Sequence, residues 1–212
     1  MHWLFKENTM IDTVIFDIGG VLSVLGRMNF FRKFDYPEEY RERLMKDTVL
    51  SPWWKEFDRA VMTEEEIIDR FVQGDPEAEK DIRHVMKNIN GIVVRADYAI
   101  PWIRSLKERG FRVLYLSNYS EKVLRDCPEV TDFLPETDGG VFSYTCHLIK
   151  PEPGIYRELI GKYGLVPERC VFLDDLQANL DGAAAFGIHT VRFTSYEQAK
   201  RELEECIAAG RA

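Results

Sequence analysis

The sequence is short of cysteine and has no pattern that would use it. Its four cysteines, Cys127, Cys146, Cys170 and Cys206, form no CxxC pair and no dense framework. That argues against a disulfide-built fold, and free thiols in a reducing cytoplasm are the expectation. Long apolar runs are missing as well. None approaches the roughly 18 residues that a membrane-spanning helix needs, and no apolar leader follows the first methionine. Positive charge is in deficit, with 28 basic residues against 36 acidic ones and a net charge of −8. Nucleic acid or an anionic membrane surface as the main partner would need a basic footprint, so both are set aside. A small anion needs only one local cation and stays open. Internal repeats and low-complexity tracts are absent too. The first ten residues, MHWLFKENTM, read as a short tail in which Met10 is a second possible start.

What is present is material for a core: 45% of the 212 residues are hydrophobic and 30% charged, the balance of a globular domain, here long enough to carry an insertion. Four segments have the length and β-branched content of buried strands: TVIFDI (13–18), RVLYLSN (112–118), CVFLDD (170–175) and HTVRF (189–193). Helical patterns alternate with the later ones. IPWIRSLKERG puts Ile103 and Leu106 on one face and ends at Gly110, while GIYRELIGKYG spaces Tyr156, Leu159, Ile160 and Tyr163 at i, i+3, i+4, i+7 and ends at Gly164. NLDGAAAFG reads as a short helix closing on Gly187, and Ser195 with Gln198 forms a capping-box pattern ahead of a last helix. Strand and helix in alternation predict an α/β fold, a parallel sheet with helices on both faces. From about 25 to 95 no buried strand is expected. A capping-box pattern at Thr63 and Glu66, and the spacing of Ile82, Val85, Met86 and Ile89, predict helices instead. Some 70 helical residues are too many for a loop between a strand and its helix, so this block is expected to be an inserted helical subdomain.

Ligands in open α/β sheets bind beyond the carboxyl ends of the strands. Three of the predicted strands end in polar groups there: Asp17, Ser117-Asn118 and Asp174-Asp175. Converging carboxylates repel one another and do not all ionise without a cation. Hard oxygen ligands suit Mg²⁺, which keeps waters for substrate oxygens. Lys150, in LIKPEPG, and the hydroxyl and neighbouring amides of Ser117 add donors for an anion. A metal together with anion-binding donors is the equipment for handling a phosphoryl group.

Taken together, VIFDIGGVL, YLSN, IKPEPGIY and VFLDDLQANLDGAAAFG resemble, in order and spacing, the four motifs of the haloacid dehalogenase (HAD) superfamily. The resemblance implies a Rossmann-like core (11–24 and 96–212), a helical cap (25–95) placed as in subfamily I, Mg²⁺ as cofactor, and phosphoryl transfer through an aspartyl-phosphate. It implies that Asp17 is the nucleophile and a Mg²⁺ ligand. Ser117 holds the transferring phosphoryl with Asn118 beside it, and Lys150 orients the nucleophile and balances charge. Asp174 binds the metal directly, with the Gly19 carbonyl, and Asp175 reaches it through water. Asn179 matches a supporting position of the fourth motif or is simply a helix-start residue.

Gly19 is the departure. Most HAD phosphatases carry there a second aspartate that protonates the leaving group, a contribution of about 10²–10⁴-fold in general acid catalysis. Three outcomes follow: Asp58 of WWKEFDRA supplies the acid from the cap, the substrate has a good leaving group, or turnover is slow. The sequence resembles a bacterial branch with DxGN or DxGG at this motif that includes phosphatases of glucose 1-phosphate. A sugar phosphate with a good leaving group is therefore the expected substrate. Trp53 and Trp54 either line the substrate cleft or pack the cap, and Arg27 and Arg59 either meet a second anionic group or lie on the surface. The competing readings are a phosphate-binding regulatory protein that has lost turnover, a 2-haloacid dehalogenase, whose relatives lack the paired aspartates, and a phosphomutase, which Gly19 disfavours.

Overall fold

In the strand Thr13–Phe16 (β1) every side chain is buried, because the strand lies in the middle of a parallel sheet with both faces covered. The computed structural model describes residues 10–209, so the expected tail lies, apart from Met10, outside the described residues. Two short strands, Ser23–Leu25 (β2) and Val93–Arg95 (β3), pair antiparallel as a separate ribbon. Arg112–Ser117 (β4), Gly140–Phe142 (β5), Cys170–Asp174 (β6) and His189–Arg192 (β7) complete the main sheet, in the order β5-β4-β1-β6-β7, all parallel.

Alternation along these strands builds two cores. Val14 and Phe16 of β1, with Val113, Val171 and Leu173, face Trp102 and Leu106 of the helix Ala99–Glu108 and Leu203 and Ile207 of the helix Tyr196–Ala209. Ile15, Leu114, Leu116 and Phe172 point the other way, onto Ile155, Tyr156 and Leu159 of Pro153–Tyr163 and Leu180 of Gln177–Ala184. Phe16 meets the Trp102 ring edge-on, 4.8 Å between centroids, and each such fully buried apolar side chain contributes about 1.5–3 kcal/mol. The α/β reading therefore holds, with helices on both faces of the sheet.

Three strands escaped the sequence reading, for identifiable reasons. β5 has three residues and begins with glycine. A Cβ on Gly140 would lie 2.3 Å from the Tyr115 carbonyl oxygen, so close strand approach fixes a residue of poor strand propensity. β2 and β3, at the ends of the insertion, are strands, though not the buried kind whose absence was expected there. Their Val24, Leu25 and Val94 are exposed, so they lack the buried pattern by which strands are recognised. The four predicted strands all end one or two residues early: Asp17, Asn118 and Asp175 leave the ladder of the first three, and Phe193 that of the last. Asp17 retains one tie, donating its backbone N–H to Leu173 O at 2.9 Å.

Between β2 and β3 the chain is helical: Arg27–Phe31, Glu38–Asp47, Trp54–Arg59, Glu64–Gly74 and Glu79–Lys87. Thr63 and Glu66 close the expected capping box, the Glu66 amide donating to Thr63 Oγ1 and the Thr63 amide to Glu66 Oε2. Ile82, Val85, Met86 and Ile89 are buried. The helix Trp54–Arg59 packs against Ser143–Cys146 and Glu121–Asp126 at the strand ends of the sheet. Two ion-pair groups join these layers. Arg59 holds Glu152 in a bidentate pair at 2.6 and 3.0 Å, and Glu64 accepts from Lys122 at 2.6 Å and Arg125 at 2.9 Å. No described helix is long and apolar enough to cross a membrane.

Candidate active site

The parallel register sets the ends of β1, β4 and β6 side by side, and their polar residues converge. One Asp17 oxygen, Oδ1, takes three donors: Ser117 Oγ at 2.7 Å, its neighbour's amide, Ile18 N, at 2.7 Å, and Lys150 Nζ at 2.9 Å. Among the described residues nothing donates to the other oxygen, Oδ2. Lys150 Nζ also donates to Asp174 Oδ2 at 2.6 Å. Lysine is buried at this depth only when paired. Burial alone would lower the Lys150 pKa, but the carboxylates of Asp17 and Asp174 more than offset it and hold the ammonium charged. Burial pushes the Asp17 carboxyl up, with Lys150 opposing and the charge of Asp174 adding to the rise.

Asp174 is fully buried and heavily occupied. Its Oδ1 accepts the Leu176 amide at 2.8 Å, and Asn179 Nδ2 lies 3.0 Å from both of its oxygens. Asn179 is therefore the support of Asp174 and not merely a helix-start residue. Asp175 differs: no other residue donates to its carboxylate among the described hydrogen bonds, and it lies against Gly20. A Cβ on Gly20, whose φ is +80°, would come within 2.6 Å of Asp175 Oδ2. Oxygens of Asp17, Asp174 and Asp175 approach within 4.8 Å of one another. Three carboxylates against the single Lys150 leave two negative charges when all are ionised, which a divalent cation would neutralise. The donor set, all hard oxygen, fits Mg²⁺. The oxygens with capacity to spare are Asp17 Oδ2 and those of Asp175. The hydrogen bonding ties Asp174 to Lys150 and leaves Asp175 the freer of the pair, while Asp17, Asp174 and Asp175 together form the group that could hold the ion.

Above this cluster lies a cavity of about 340 Å³ lined from the sheet side by Asp17, Gly19, Asn118, Lys150 and Asp175 and from the helical insertion by Arg27, Trp54 and Asp58, within the usual range for a small-molecule site. Asp58 makes no hydrogen bond among the described residues. Burial first, then the Asp17 charge, pushes its carboxyl up to about 7, Lys150 opposing. Arg27 has no ion-pair partner among the described residues.

The other expected residues are placed differently. Asn118 lines the cavity, yet its carboxamide is engaged with the Lys150 backbone, accepting from N at 2.7 Å and donating to O at 3.0 Å. It positions Lys150 and is poorly free to bind substrate. Trp53 does not line the cavity, is 39% exposed, and lies under the Arg70 guanidinium. Arg59 does not line the cavity and is not loose on the surface, being paired to Glu152. Of the amides after Ser117, that of Tyr119 is taken by Ser143 Oγ at 2.9 Å. Tyr119 itself was missed. It is 5% exposed, lines the cavity, and its hydroxyl has no partner among the described residues. Its place directly after Ser117-Asn118 at a strand end was the available signal.

Known proteins frame this geometry. The chain is 25% identical over 220 residues to mouse (Mus musculus) bifunctional epoxide hydrolase 2, covering 90% of this chain and 38% of that protein. It is 27% identical over 94 residues to (S)-2-haloacid dehalogenase 1 of Pseudomonas sp. (strain CBS-3), covering 44% and 41%. The chain thus spans well under half the length of these relatives. A HAD family enzyme of Bacteroides thetaiotaomicron, bt-2542, solved in complex with magnesium and inorganic phosphate, superposes with a TM-score of 0.68 at 22% identity, covering 91% of this chain and 98% of that one. L-2-haloacid dehalogenase from Xanthobacter autotrophicus, with chloropropionic acid covalently bound, gives 0.62 at 18%, covering 92% and 83%. The haloacid dehalogenase-like hydrolase family model matches residues 11–187, a span that runs from β1 to the glycine after the helix Gln177–Ala184, and the chain belongs to that family.

Proposed function

We propose that this protein is a Mg²⁺-dependent phosphatase of a small phosphomonoester, a sugar phosphate, acting through an aspartyl-phosphate on Asp17, with the insertion between β2 and β3 as its cap. The observation that carries the reading is the state of Asp17. Oδ1 is held by Ser117, Lys150 and the Ile18 amide while Oδ2 is bare beside an acidic cluster with two charges in excess. An oriented carboxylate with one free oxygen is a nucleophile, and a cluster that lacks compensating charge is a cation site. The magnesium and phosphate bound to the Bacteroides enzyme support the same assignment.

In this reading Asp17, Asp175 and the Gly19 carbonyl would hold Mg²⁺, which would supply the positive charge that phosphoryl oxygens need. Lys150 and Ser117 hold Asp17 in line and leave its free oxygen to attack phosphorus. Asp174 and Asn179 keep Lys150 in place, and Asn118 fixes its backbone. The helical wall over the cavity excludes water from the first step and presents Trp54, whose aromatic face suits a sugar ring. The partner is a small molecule and not a nucleic acid or a membrane, and four free thiols suit the reducing cytoplasm.

The 2-haloacid dehalogenase reading shares the nucleophile but gives no use to the excess charge at Asp175. The test is phosphate release from a panel of sugar, aryl and alkyl phosphates, with 2-chloropropionate as a further substrate, in Mg²⁺ or EDTA. Release that needs Mg²⁺ and falls about 10³-fold or more in Asp17→Asn, the scale of losing a covalent nucleophile, is the expected result. Chloride release independent of Mg²⁺, or Mg²⁺ binding with no turnover, overturns it.

A further inference from the structure

Gly19 leaves the attack on phosphorus without a proton for the departing oxygen. The cavity holds few groups that could provide one. Lys150 is committed to two carboxylates, Arg27 does not deprotonate, and no histidine lines the space. Asp17 and Asp175 belong to the acidic cluster. Among the described residues, Asp58 is the one carboxyl group lining the cavity outside that cluster.

We propose that Asp58 is the proton donor to the leaving group, supplied from the helix Trp54–Arg59 in place of the carboxylate that Gly19 lacks. The inference rests on the phosphatase reading above. Three observations carry it. Asp58 shares the cavity with Asp17 and Lys150, and their charges act on it. Its carboxyl has no hydrogen-bond partner among the described residues, so nothing in the fold accounts for it. Its helix is fixed at the cavity mouth by the Arg59–Glu152 pair and by His147 Nδ1 at 3.1 Å from Arg59 O, which holds the neighbouring residue in register with the site.

Burial keeps the Asp58 carboxyl protonated up to about pH 7, the state a donor requires. As Asp17 Oδ2 bonds to phosphorus, the bond to the leaving oxygen breaks with its electron pair on that oxygen, which takes the Asp58 proton and departs as an alcohol. Water then attacks the phosphorus of the aspartyl-phosphate and returns a proton to the Asp58 carboxylate. Inorganic phosphate leaves and Asp17 is restored.

The experiment is kcat/KM for Asp58→Asn, Tyr119→Phe and the parent protein in Mg²⁺, on an aryl series and an alkyl phosphate of similar size. kcat/KM reports the step in which the leaving group departs. Asp58→Asn is expected to lose about 10²-fold or more on the alkyl phosphate, the usual contribution of a general acid, and less than about 10-fold on para-nitrophenyl phosphate, whose leaving group needs no proton. Tyr119→Phe is expected to keep the parent's leaving-group dependence. A thermal melt of Asp58→Asn no lower than the parent's establishes that it folds, and a merely structural defect would lower all substrates alike. Equal losses across the series, no loss at all, or a steeper dependence in Tyr119→Phe would overturn the assignment. If Asp17→Asn abolishes release in the same assays, such a result removes Asp58 alone and leaves the phosphatase reading intact.

Discussion

The two walls of the cavity are built on different principles. On the sheet side, most of the polar groups are held by one another, Asp175 excepted. Lys150 joins Asp17 to Asp174, Asn179 braces Asp174, and Asn118 grips the Lys150 backbone from both ends. On the helical side, Arg27 and Asp58 line the cavity with no hydrogen-bond or ion-pair partner among the described residues. The first wall is cross-braced by hydrogen bonds and by the Lys150 ion pairs, so its groups tolerate little displacement. The second faces whatever the substrate presents, so its polar groups are left for the ligand. Stability is therefore expected to be stored in the sheet wall and given up at the cap wall.

The largest test of this contrast is Lys150→Met. It removes the only cation between two buried carboxylates, and breaking such a pair from one side costs about 3–5 kcal/mol. Thermal unfolding in EDTA should show the loss, and Mg²⁺ should recover part of it by taking over the charge. An unchanged midpoint would mean that the sheet wall is not held by Lys150.

Adjacent glycines sharpen the comparison within one turn. Gly20 has φ of +80° and Asp175 against its Cα, while a Cβ on Gly19 meets nothing within 4 Å. Gly20→Ala is expected to cost about 1–3 kcal/mol and to weaken Mg²⁺ binding, whereas Gly19→Ala should leave the melting temperature nearly unmoved. Equal effects from the two would show that Asp175 does not depend on this contact. The open space at Gly19 also means that the missing acid is not a steric necessity of the fold.

The smallest effect is at Asp58, and it has the opposite sign. Its carboxyl sits at about 7 in the folded protein against 3.8 when free, raised by burial and by Asp17 and opposed by Lys150. Because the folded state binds the extra proton between those values, the Asp58 contribution to stability falls as pH rises from about 4 through about 7. Asp58→Asn removes that liability. It should melt about 2–4 °C higher than the parent at pH 8 in EDTA, as about 1 kcal/mol does in a chain of this size, with the gap shrinking by pH 5. A gap that widens toward pH 5 would contradict the raised pKa.

Read against these walls, the sequence was most informative where the sheet constrains it. A run such as VIFDIGGVL is legible because a strand buried on both faces must be continuously apolar, so a carboxylate at its end stands out. Asp17, Ser117 and the Asp174-Asp175 pair at three strand ends were visible on that ground, Lys150 by its place in sequence between the second and third of them, and helix periodicity exposed the insertion. β2, β3 and β5 were not, because three-residue strands that are exposed or forced onto glycine carry no pattern. The cap wall was only half legible: Trp54 and Asp58 belong to the cavity, but Trp53 and Arg59, beside them in sequence, do not.

By itself, then, the sequence determined the parallel α/β core, the helical insertion and the residue types at the strand ends, since each follows from local periodicity and from the cost of burying charge. Tertiary structure alone decided which Asp17 oxygen is free, that Asp174 anchors Lys150 while Asp175 keeps its carboxylate open, and that Asp58 shares a cavity with Asp17 across some 40 residues of chain. Those outcomes depend on how donors from separate elements are shared among a few oxygens. Sharing of that kind is set by the packing of strands and helices against one another, and no single segment encodes it.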